Sequence, residues 1–184
     1  MKKLSIILLL FSLYSTSVFS QFELTKDGLK VKDSDKDYLI CEFTGKTQSE
    51  VYISVLKTLT LKYKSAKHVL SKVENETISI KGYESAYIGA EKMLGVYLFL
   101  YDLDYKINIS FRDDKIKIDI PTIEFISEIG NNRKLTLSDS GMFKAPIFKK
   151  DKVKEEGAKQ RIEDFFNTLV AEIKQGVESE KEDW

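Results

Sequence analysis

The sequence predicts an α+β fold in which antiparallel hairpins are covered by helices, and three patterns carry that reading. From Tyr97 to Phe111 every odd position is apolar or aromatic, and the alternation resumes at Ile116, Ile118 and Ile120 after a charged turn. A period of two marks strands with one buried face. Ile162, Phe165, Phe166, Leu169, Val170, Ile173 and Val177 recur at helical spacing, a stripe that needs a sheet to cover. Thr47-Gln48-Ser49-Glu50 has the form of a capping box ahead of a second such stripe.

The chain begins with Lys2 and Lys3, an apolar run from Leu4 to Leu13, and small and polar residues ending Val18-Phe19-Ser20. This is the layout of a secretory signal, with cleavage expected between Ser20 and Gln21. The run is too short to span a bilayer, which needs roughly 20 apolar residues. Residues 21–177 are read as one domain and 178–184 as an acidic, flexible tail. The 164 residues left after cleavage suit a single domain that needs no disulfide.

Gln21 to Asp37 is polar, with Phe22, Leu24, Leu29 and Val31 scattered through it, and reads as a short strand or an ordered lead-in. Tyr38 to Phe43 is the first clear strand, with Leu39, Cys41 and Phe43 on one face. Gly45 ends it. Val51, Ile53 and Val55 alternate as in a strand, but the capping box and the stripe Val51, Tyr52, Val55, Leu56, Leu59 and Tyr63 decide for a helix.

Val69–Val73 and Ile78–Lys81 read as a hairpin with Val73 opposite Ile78, which places Val69, Ser71, Val73, Ile78 and Ile80 on one face. Residues 82–93 read as an irregular connection. The second hairpin turns at Arg112-Asp113-Asp114-Lys115 and pairs Phe111 with Ile116, Ile109 with Ile118 and Ile107 with Ile120, leaving one face wet. Gly130-Asn131-Asn132 and Asp139-Ser140-Gly141 mark turns, with a short strand at Leu135 and Leu137 between them. Gly176 is read as the stop of the last helix.

Composition narrows the chemistry. Without Lys2 and Lys3 the 29 basic residues fall to 27 against 29 acidic ones, a net charge of −2 with both signs interleaved. A broad phosphate-binding surface has no support. Cys41 is the only cysteine, is placed on the apolar face of its strand, and reads as buried and inert. No cysteine lies near Gln21, so a lipid anchor there is not expected. A serine triad needs a histidine base, and the only histidine, His68, reads as a surface or edge residue. One His and one Cys make a poor zinc ligand set, and no glycine-rich phosphate loop follows a strand. Neither a metal nor a cofactor is expected. Asp113 and Asp114 read as an ordinary charged turn. Asp102 and Asp104 lie two apart on one strand face and read as solvated charges, with a carboxylate pair as the alternative.

Phe43-Thr44-Gly45-Lys46-Thr47-Gln48-Ser49-Glu50-Val51-Tyr52 resembles an exported bacterial family, catalogued as a domain of unknown function with a TATA-box-binding-protein-like fold. Phe22-Glu23-Leu24-Thr25-Lys26-Asp27-Gly28-Leu29, Phe111-Arg112-Asp113-Asp114-Lys115-Ile116-Lys117 and the ending Glu182-Asp183-Trp184 are similar to it as well. Where the family often has Asp-Gly in the hairpin turn, this chain has Asp113-Asp114. The resemblance implies a curved antiparallel sheet with two helices packed on one face. It implies no catalytic residues, and the fold name does not bring DNA binding with it.

The expected function is that of an exported, periplasmic or secreted, non-catalytic binding or accessory module. Its partner would be a protein or envelope component rather than nucleic acid. The open sheet face at Lys106, Asn108, Ser110, Lys117 and Asp119 is the candidate contact surface. A carboxylate-dependent hydrolase of envelope polymers using Asp102 and Asp104 is the alternative.

Overall fold

The computed structural model describes residues 21–127, 134–139, 141 and 143–179. The signal segment through Ser20, the turn at Gly130-Asn131-Asn132, Ser140 and the tail from residue 180 lie outside the described residues.

Alternating residues build the sheet. Strands β3 (Tyr38–Glu42), β4 (Leu70–Val73), β5 (Thr77–Met93), β6 (Val96–Arg112) and β7 (Lys115–Asp119) lie in the order β3-β7-β6-β5-β4, and β8 (Thr122–Ser127) also pairs with β6. All these pairings are antiparallel. Tyr101, Leu103, Tyr105, Ile107, Ile109 and Phe111 are all buried, as their spacing predicts.

Two long helices cover that face: α1 (Gln48–Lys62) and α3 (Glu156–Ser179), with a one-turn α2 (Ala66–Val69) between α1 and β4. The capping box is present as read: Thr47 Oγ1 accepts from Glu50 N–H, and the Glu50 carboxylate accepts from Thr47 N–H at 2.7 Å. Val51, Tyr52, Val55 and Leu59 of α1 meet Ile162, Phe166, Leu169, Val170 and Ile173 of α3 in one core with the sheet. Phe165 and Phe166 stack edge-on against Tyr105. The Lys62–Glu172 ion pair, at 2.7 Å, joins the two helices.

The lead-in is a hairpin, β1 (Phe22–Thr25) with β2 (Gly28–Val31), and all four of its apolar side chains enter the core. Asn167 on α3 holds it. Its Oδ1 accepts from the N–H groups of Gln21 and Phe22, both at 2.8 Å, and its Nδ2 donates to Phe22 O at 3.1 Å. Short pairs β9 (Lys134–Thr136) with β10 (Lys144–Pro146), parallel, and β11 (Phe148–Lys149) with β12 (Lys152–Val153), antiparallel, complete the described strands.

Four local expectations are corrected. In the first hairpin Val73 faces Thr77 rather than Ile78, and Leu70 faces Ile80. The three-residue loop Glu74–Glu76 closes through Glu76 N–H to Val73 O at 3.1 Å, with Asn75 at φ 57°. A slip of one residue exchanges the faces, so Val73 is 54 % exposed.

Residues 82–93 are not a connection but part of β5. The alternation fails there because Ser85-Ala86-Tyr87 stand opposite the single Asp102 as a bulge. Gly82 is required by its partner: a Cβ there would lie 2.1 Å from the Tyr105 ring, which crosses it to bring its hydroxyl within 3.0 Å of that of Tyr63.

Gly176 does not end α3, which runs to Ser179. It sits against Thr58 of α1, where a Cβ would lie 2.0 Å from Thr58 Oγ1. Of the three pairs read in the second hairpin, Phe111–Ile116 and Ile109–Ile118 form. β7 ends at Asp119, and β8 takes over the pairing with β6 at Lys106.

Candidate functional site

With the helices on one side, the even positions of β6 and the odd positions of β7 point to the other. Pairing of β3 with β7 extends this outer face across Tyr38, Ile40 and Glu42, whose neighbours Leu39 and Cys41 turn inward. Lys36, Tyr38, Ile40 and Glu42 then meet Ser110, Arg112, Lys115 and Lys117 around a shallow bay of about 660 Å³. Four cations and one carboxylate line it. Lys36 and Lys117 place their ammonium groups 5.7 and 5.6 Å from the centre of the Tyr38 ring. The ring attracts each of these cations.

Of the five residues read as a contact surface, Ser110 and Lys117 line this bay. Asp119 binds Lys117 at 2.9 Å, a partly exposed pair of small energetic weight. Asn108 Oδ1 accepts from Ser79 Oγ at 2.7 Å. Lys106 lies farther along β6, at a second hollow of about 170 Å³ shared with Lys81, Asp104 and Glu124.

The sequence reading missed Lys36, Tyr38, Ile40, Glu42, Arg112 and Lys115. Their alternation was visible, but the fact that β3 lies beside β7 was not. That neighbourhood is a long-range pairing.

The chain shares its fold with a structurally characterised DUF4468 family protein. That protein, from Bacteroides ovatus, superposes with a TM-score of 0.54 at 17 % identity, over 76 % of this chain and 84 % of that one. A TBP-like protein from Parabacteroides distasonis aligns with a TM-score of 0.46 at 13 % identity, over 74 % of this chain and 90 % of that one. No family model and no curated protein matches the sequence. The first likeness agrees with the fold that the sequence resemblance implied.

Against that fold the remaining candidates take definite places. Asp102 is not a solvated charge. It is 6 % exposed, accepting from Tyr83 Oη at 2.5 Å and from Ala86 N–H at 2.7 Å. These bonds, the Tyr83 hydroxyl first, hold its carboxyl below the usual aspartate range. Both oxygens are engaged in fixing the β5 bulge, whose Ala86 has φ 50°. Asp104 lies opposite Glu124 of β8, a pairing the sequence did not suggest. A carboxylate hydrolase needs two acids facing one another across a cleft, and Asp102 is committed elsewhere.

Cys41 is buried, and desolvation pushes its thiol up to about 11. His68 is exposed on α2. Asp113 and Asp114 do more than turn the chain. Asp113 Oδ1 accepts from Gln48 N–H at 2.8 Å and Asp114 Oδ1 from Gly45 N–H at 2.6 Å, tying the β6–β7 turn to the start of α1. No helix among the described residues is long and apolar enough to cross a membrane.

Proposed function

We propose that this chain is an exported, non-catalytic binding or accessory module that holds an anionic partner on the outer face of its sheet. The observation that carries the reading is the asymmetry of the two faces. One is sealed by α1, α3 and the β1–β2 hairpin, while the other carries a bay with four cations against one carboxylate. A chain whose residues from Gln21 on carry a net charge of −2 and yet gather cations in one hollow favours an anion there, both by steering and by contact. Export rests on the Lys2-to-Ser20 segment.

The test is direct. The chain starting at Gln21 is titrated at low salt with poly-L-glutamate, polygalacturonate and poly-L-lysine, beside the triple variant Arg112→Ser, Lys115→Ser, Lys117→Ser. Acidic polymers are expected to bind and the triple variant to lose most of that affinity with its melting temperature little changed. Equal binding by the variant, or none by either acid, overturns the reading. N-terminal sequencing of the exported product is expected to start at Gln21. A full-length product kept inside the cell would remove the export claim.

A further inference from the structure

The bay is bordered by a free strand edge, and the two are built from the same residues. β3 pairs with β7 on one side, and among the described residues no strand pairs on its other side. Two hydrogen bonds fix which backbone groups point where: Phe43 N–H to Asp114 O at 2.6 Å and Ile120 N–H to Asp37 O at 3.1 Å. Both belong to the register that sets Tyr38 opposite Asp119 and Glu42 opposite Lys115.

In an antiparallel ladder, residues alternate between bonding the partner strand and facing away from it. Positions 37, 39, 41 and 43 therefore face β7. The N–H and C=O groups of Tyr38, Ile40 and Glu42 face outward. The side chains of these same three residues floor the bay. An unpaired edge of this kind is a template for another strand.

We infer that β3 is a strand-addition site and that its occupant is an extended acidic segment of another protein. Main-chain bonds to Tyr38, Ile40 and Glu42 would supply affinity. Alternate acidic side chains on the bay side would meet Lys36, Arg112, Lys115 and Lys117. The charge argues against a second copy of this chain as occupant: edge-to-edge pairing would bring two sets of cations together. It also selects the partner, since an acidic strand would balance the excess of cations in the bay, which a neutral strand would not, and a basic one would be repelled. The inference rests on the anion-binding reading of the bay and adds the backbone geometry of the ligand.

The probe is a fluorescein-labelled peptide of about ten residues alternating Glu and Val, followed by anisotropy with the chain from Gln21. Binding is expected to weaken several-fold from about 50 mM to about 0.5 M salt. Two forms of the peptide, methylated on alternate backbone nitrogens, separate the mechanisms. The form that blocks the amides facing β3 is expected to bind at least about tenfold more weakly, and the other nearly as well as the parent. Ile40→Pro removes an outward N–H without removing a bond to β7 and is expected to weaken binding to a similar degree. The methylated peptides need no folded variant.

If both methylated forms bind like the parent, acidic side chains dock without strand addition. That overturns this inference and leaves the anion-binding reading intact. If no acidic peptide or polymer binds, both fall. A dimer in sedimentation that Ile40→Pro dissolves would make a second copy the occupant and overturn the assignment.

Discussion

Single side chains settle several questions that composition leaves open, and Asp102 is the sharpest case. An aspartate at an even position of β6 reads as solvated, because alternation assigns even positions to water. What alternation cannot show is that three residues of β5 bulge out opposite it and that Tyr83 closes over it. Its folded carboxyl is held below its ordinary value, so it contributes stability that is fully present above the unfolded aspartate value of about 3.9 and is lost as pH falls through the folded value. Asp102→Asn is therefore expected to cost roughly 1–3 kcal/mol at neutral pH. The gap between wild type and variant in urea unfolding should stay flat from about pH 7 to about 5 and narrow toward pH 2. A gap that ignores pH would mean that the charge of the carboxylate does not hold the bulge. Cys41 shows the opposite outcome, since its place between Leu39 and Phe43 on an alternating strand was enough to foretell a buried thiol.

Elements were legible where one face of one element decided them. The capping box, both amphipathic helices and the β6–β7 hairpin each follow from a local pattern, and the structure returns them. Reading failed where the deciding contact lay far along the chain. The Asp113-Asp114 turn lacks the favoured glycine, and its carboxylates instead answer backbone N–H groups of Gly45, in the loop before α1, and of Gln48, the first residue of α1. Gly176 resembles a helix stop but is a point of helix–helix contact. Thr58 is pinned there by its own bond to Ser54 O at 2.9 Å and cannot easily give way. An alanine inside an exposed helix normally gains about 1 kcal/mol over glycine. Here Gly176→Ala is expected to lose about 1–3 kcal/mol through overpacking. In a Thr58→Ala background, which removes the oxygen and methyl nearest the new Cβ, most of that loss should vanish in thermal or urea unfolding. A stabilising Gly176→Ala would show that α1 and α3 do not approach as closely as described.

At the scale of the molecule, one face of the sheet is sealed into the core, and the β1–β2 hairpin belongs to that seal. The polar composition of residues 21–37 hides this, because only Phe22, Leu24, Leu29 and Val31 are apolar, yet all four are buried. Their burial contributes roughly 1.5–3 kcal/mol each, about 6–12 kcal/mol together, which is comparable to the whole stability of a typical domain at about 5–15 kcal/mol. The hairpin also answers polar groups on α3: Asn167 bonds the backbone of Gln21 and Phe22, and Glu163 Oε1 accepts from Leu24 N–H at 2.7 Å. A chain starting at Gln21 keeps all of these groups and is expected to unfold cooperatively. A chain starting at Asp35 loses them and leaves Asn167 buried without its backbone partners, so it should show no cooperative melt and should bind hydrophobic dyes. Asn167→Ala in the chain from Gln21 falls between the two, with an expected loss of about 2–4 kcal/mol. That loss should be accompanied by faster hydrogen exchange at the amides of residues 21–31 and little change on β3 or β7. If the chain from Asp35 melts as sharply as the chain from Gln21, the hairpin is an ornament on the fold and the sealed face ends at the helices.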